Sequence, residues 1–139
     1  MKKSIVTVVV ALALYAFSHF QGVSQPQTAS DEVFQQAFEN QQSDLQVRGS
    51  AVVEKILPDD NKGSRHQRFI VRLQSGQKLL IAHNIDLAPR INALQENDPV
   101  EFYGEYEWNE KGGVIHWTHH DPKARHPGGW IKHEGQTYQ

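Results

Sequence analysis

Residues 45–120 alternate apolar and polar side chains at a period of two. Clusters of turn residues break that alternation at 58–63, 75–76 and 109–113, and one helix-spaced interval interrupts it at 86–95. Together these observations predict an all-β fold of five strands closed into a Greek-key barrel, with an open antiparallel sheet of the same strands as the alternative. A chain of 139 residues suits one domain. Its 38% hydrophobic and 22% charged residues are those of a globular protein.

Residues 1–24 read as an export signal. Lys2 and Lys3 form a charged start, residues 5–17 are an apolar run, and Gly22 and Ser24 are small enough for cleavage after Ser24. The run is shorter than the roughly 20 residues of a spanning helix. The site departs from the preferred A-x-A pattern, so an uncleaved anchor, the one expected membrane contact, stays open. Either way the working part is expected outside the cytoplasm, periplasmic or secreted from a bacterium.

Residues 25–44 read as a linker and a short helix. Val33, Phe34, Ala37 and Phe38 recur at helical spacing over 31–40, and Ser30 or Asp31 can cap the start. The barrel follows at 45–120, with strands near 46–57, 65–74, 77–84, 99–108 and 113–118. Between the third and fourth, Leu87, Ile91 and Leu94 sit three or four apart, which predicts a short helix over 86–95 with Pro89 in its first turn. Asn84 and Asp86 are placed to cap it. Residues 121–139 lack a clean period, and Gly128, Gly129, Pro122 and Pro127 make the tail irregular. Trp130, Ile131 and Tyr138 give it apolar surface to pack on the barrel.

Three strands, a helix and two strands is the order of an OB-fold. Alternation on the second strand turns Phe69, Val71 and Leu73 inward and His66, Arg68 and Arg72 outward. On the fourth, Val100, Phe102, Gly104, Tyr106 and Trp108 share one side, and Glu101, Tyr103, Glu105 and Glu107 the other.

Composition excludes several chemistries. The chain has no cysteine, hence no disulfide, thiolate metal site or cysteine nucleophile. Without residues 1–24, twelve basic residues face sixteen acidic ones, a net charge of −4. That balance disfavours nucleic acid, which remains possible through a local basic patch, and leaves a small anionic ligand or a protein as the expected partner. No serine sits on a recognisable nucleophile turn.

The chemical signal is HWTHHDPKARHPGGWIKH over residues 116–133, which holds five of the eight histidines. Imidazole is the commonest metal ligand and titrates near neutral pH. Pro122 and Asp121 favour a bend after the last strand. Such a bend can gather His116, His119, His120, Asp121 and His126 around a divalent transition metal, zinc first. The same residues also suit metal-free acid–base chemistry, or plain hydrogen bonding that ties the tail down. A second constellation, His66, Arg68 and Arg72 with Trp117 and Trp130, suits an anionic or ring-bearing ligand. Its alternative is a solvated face paired with Glu101, Glu105 or Glu107.

The segments AHNIDLAPRI (82–91), GEYEW (104–108) and GVIHWTHHDP (113–122) resemble an uncharacterised family of small exported bacterial proteins, a domain of unknown function with an HWTHHDP motif. The resemblance runs over about 45–139 and implies one compact exported domain, with no activity attached. The expected function is an exported binding module with a His-rich C-terminal ligand or metal site. A metal-dependent hydrolase of phosphodiesterase or nuclease type and a structural or interaction protein are the alternatives.

Overall fold

The computed structural model describes residues 26–139. The expected export signal lies outside them. Among the described residues no helix is long and apolar enough to cross a membrane.

Helix α1 (Pro26–Glu39) is followed by β1 (Leu45–Ile56), β2 (His66–Arg72), β3 (Lys78–Asn84), β4 (Pro99–Glu107), β5 (Val114–His116), β6 (Trp130–His133) and β7 (Gln136–Tyr138). The first five strands form a closed barrel in the order β1-β2-β3-β5-β4, with β4 pairing back onto β1. The β3–β5 pair is parallel and the other barrel pairs are antiparallel. Its interior is the alternation read from sequence: Phe69, Val71 and Leu73 from β2, and Val100, Phe102 and Tyr106 from β4, are buried.

Phe34 and Ala37 anchor α1, with the Phe34 ring centroid 5.8 Å from Phe102 and 6.1 Å from Tyr106. Phe38 stacks on Trp108, whose indole N–H donates to the Phe38 carbonyl at 3.0 Å. Val33, expected on the apolar stripe, is exposed. The helix also begins earlier than the sequence indicates, at Pro26.

No helix forms over 86–95. The carbonyls it would need are taken by the core. The Gln67 side chain donates to the Ile91 carbonyl and accepts the Ile91 N–H, both at 2.9 Å, holding that residue as a neighbouring strand would. His83 Nε2–H donates to the Pro89 carbonyl at 2.9 Å. Ile91 and Leu94 are buried, whereas Leu87 is exposed. Asn84 and Asp86 therefore cap nothing: Asn84 accepts the Asp86 N–H, and the Asp86 carboxylate binds Arg65.

The tail is more regular than expected. Strands β6 and β7 form a hairpin through Glu134 and Gly135, both at positive φ, the signature of a type I′ turn. The fifth strand is shorter than its pattern, because Trp117 adopts φ 57° and ends it at His116.

Register shows how the tail returns. Glu105 on β4 faces His116 on β5, and Tyr103, two residues away on the same strand, faces Trp130 on β6. Strands β5 and β6 thus lie in line along one edge of β4, as a single strand interrupted by the thirteen residues 117–129. The return is tight. A Cβ on Gly129 would sit 2.0 Å from the Trp117 carbonyl oxygen and 2.4 Å from that of Tyr103. Replacing Gly129 with Ala should destabilise the protein by about 2–4 kcal/mol, since backbone on both sides must yield. Urea unfolding of Gly129→Ala beside Gly128→Ala, where the nearest atom is 3.3 Å away, checks this; equal midpoints would refute it.

Candidate functional site

Pairing on β4 decides which side chains meet. Glu105 lies opposite His116 on one side and Gln46 on the other, all on the outer face. Glu107 shares that face. His116 Nε2 is 3.2 Å from a Glu105 oxygen and 3.2 Å from a Glu107 oxygen. The two contacts are close but poorly aligned: His116 Nε2 is buried and has no hydrogen-bond partner. The Gln46 Nε2 atom, across Glu105, is in the same condition. One ligand atom each from Glu105, Glu107 and His116 falls within 4.8 Å of the others.

The excursion adds a second imidazole. Asp121 organises it, accepting backbone N–H groups from Lys123, Arg125 and His126 at 2.9–3.0 Å. Those bonds hold its carboxyl below the usual carboxylate range. The Gly129 N–H closes the loop on the His119 carbonyl at 2.9 Å. His126 then stacks on Trp117 with centroids 3.9 Å apart, and its Nε2 reaches the other Glu105 oxygen at 3.4 Å. The His126 Nδ1 lies 2.9 Å from the Pro127 carbonyl, which can only accept, so this nitrogen carries the proton. In a neutral ring, Nε2 therefore turns a lone pair toward a carboxylate. That arrangement needs a proton or a cation between the two.

The other residues singled out from sequence are placed as follows. His119 is buried, donating Nδ1–H to the His120 carbonyl at 2.6 Å. His120 is exposed, and Asp121 spends its oxygens on backbone. Arg68 donates to the Pro58 carbonyl, while Arg72 and Lys78 flank Glu54. The pairing with Glu101, Glu105 or Glu107 does not occur, because β2 neighbours β1 and β3 rather than β4. Glu101 instead pairs with Arg48. Trp130 stands beside Tyr103, with Arg48 5.3 Å and Lys132 4.6 Å from its ring centroid.

A second His–acid group, Asp98, His133 and Glu134, contrasts with the first. Buried His133 donates Nε2–H to Asp98 at 2.7 Å, a bond that with the Gln95 N–H holds the Asp98 carboxyl low. No buried side-chain nitrogen or oxygen of this group lacks a partner.

Residues 14–139 match a family described as "Protein of unknown function (DUF3465)". The chain belongs to this family. No curated protein matches it. The DUF3465 assignment brings no activity with it, so the chemistry rests on the geometry above.

Local sequence pattern marks Glu105 and Glu107 only as ion-pair partners and gives His83 no role. His83 is fully buried beside the site. Its Nε2–H is fixed by Pro89, so Nδ1 accepts the Thr118 hydroxyl at 2.7 Å. Burial pushes its pKa down from 6.5 to about 4. The unfolded chain thus binds this proton first as acid is added. The neutral ring contributes on the order of 3 kcal/mol above pH 6.5, and that contribution is lost as pH falls from 6.5 to about 4. An NMR titration of the His83 ring should give a midpoint near 4, and a midpoint above 6 would contradict the assignment.

Proposed function

We propose that this chain is a metal-binding module, with Glu105, Glu107 and His116 holding a divalent transition metal on the outer face of the barrel and His126 closing over it from the excursion. The observation that carries this reading is the spacing of the donors. Bonds of about 2.1 Å to a tetrahedral ion set neighbouring ligand atoms about 3.4 Å apart. The His116–Glu105 and His116–Glu107 contacts are both 3.2 Å, and His126 comes to 3.4 Å from the other Glu105 oxygen, outside this group of three. One dication between them gives the orphaned His116 nitrogen a partner and offsets two adjacent carboxylates. Nitrogen and oxygen donors without thiolate suit zinc, and also copper or nickel.

Charge favours binding over hydrolysis. Two carboxylates cancel the ion's charge, so a bound water loses its proton less readily than on a three-histidine site. The strand order β1-β2-β3-β5-β4 supports an OB-fold-like barrel as the scaffold. The leader-like residues 1–24 support work in the periplasm or outside the cell.

Zinc titration of the untagged protein, followed by calorimetry and thermal melting, tests the reading. A stoichiometric tight site should appear, and the melting temperature should rise with zinc. Glu105→Gln with Glu107→Gln should weaken that site about a hundredfold or more, since both replacements remove an anionic ligand. An unchanged melting temperature in zinc, copper and nickel alike would reject the module.

A further inference from the structure

Three histidines share a feature that the metal site uses only once. His66, His119 and His126 each donate Nδ1–H to a backbone carbonyl, of Ser64, His120 and Pro127, at 2.8, 2.6 and 2.9 Å. A carbonyl cannot donate, so all three rings, when neutral, hold the same tautomer, with the lone pair on Nε2. Fixing a ring through one nitrogen while baring the other is how proteins prepare imidazole for a metal. His126 turns its lone pair to Glu105. His66 and His119 line a different place, a cleft between the start of β2, the end of β3 and the departure of the excursion from β5. Ser64, Asn84, Leu87, Trp117 and His116 complete it. His116 therefore stands between the cleft and the two glutamates. No lysine or arginine lines this cleft; Arg68 lines the adjoining one, which shares His66 and His116.

We propose that this cleft is a second, weaker position for a transition-metal ion, held through the Nε2 atoms of His66 and His119, by which the ion passes to or from His116. Binding in the cleft rests on ring tautomers and on the cleft and is tested apart from the glutamate site; passage to His116 rests on that site as well. Nitrogen-only ligation suits a borderline ion such as zinc or copper(II) and excludes magnesium and calcium, which take oxygen.

Calorimetric titration of zinc into the full untagged chain should resolve two events. Glu105→Gln with Glu107→Gln should remove the tighter event and leave the weaker. His66→Phe with His119→Phe should remove the weaker and leave the tighter affinity within about twofold. With copper(II), the weaker site should give nitrogen hyperfine structure that the histidine variant lacks. Because His119 is buried, His66→Gln alone serves as the control for folding, and it should weaken the second event about tenfold or more. A single event in the parent chain, or a second event that survives both histidine variants, would overturn the proposal. Loss of the tight event alone would count against the glutamate site and leave this one standing.

Discussion

One edge of β4 has to serve two strand segments, and the placement of the candidate site follows from that. Strand β5 takes the part of the edge around Glu105 and β6 the part around Phe102. The thirteen residues between them cannot continue the ladder, so they leave it at Trp117 and come back at Gly129. Left-handed backbone at Trp117 makes the departure, and the missing Cβ at Gly129 makes the return. Because the loop starts and ends on the same short stretch of β4, its contents stay above that stretch. His126 consequently meets Glu105 instead of solvent.

The two His–acid groups show how differently the same residue types behave. At His133, one ring meets one carboxylate at 2.7 Å inside the protein, and hydrogen bonding settles the charge. At His116, two carboxylates converge on a ring nitrogen without good alignment, and a second ring approaches from above. The first group ties the β6–β7 hairpin to the loop before β4. The second sets two carboxylates against two imidazoles with no hydrogen bond at the His116 nitrogen.

Much of the barrel was legible because burial imposes alternation on every strand. The inward sets on β2 and β4 follow from period two alone. The helix expected over 86–95 was not to be had from local pattern, because its outcome turns on Gln67 and His83, which lie on other strands and take its carbonyls. The tail hairpin was masked by Gly and Pro at its start. For the candidate site, the histidine-dense segment contains His116 and His126, which both approach Glu105, while the acids beside them lie on another strand. Glu105 and Glu107 share a face by simple alternation, but their nearness to His116 depends on which strand lies beside β4, and that is a matter of topology. His120 and Asp121, equally prominent in sequence, turn to solvent and to backbone amides.

The collinearity of β5 and β6 carries an implication for how such a chain can vary. Both flanks of residues 117–129 are pinned to β4 by their own ladder hydrogen bonds, so the intervening segment behaves as a cassette. The pairing of His116 with Glu105 and of Trp130 with Tyr103 leaves room for a single linking residue opposite Gly104. A version pruned to that one residue would join β5 and β6 into one uninterrupted strand along β4. The excision would take His126 from above Glu105 and the Thr118 hydroxyl from buried His83, while Glu105, Glu107 and His116 would stay on the barrel. The three donors on the barrel and the imidazole that overhangs them are therefore separable by cutting the chain at two places.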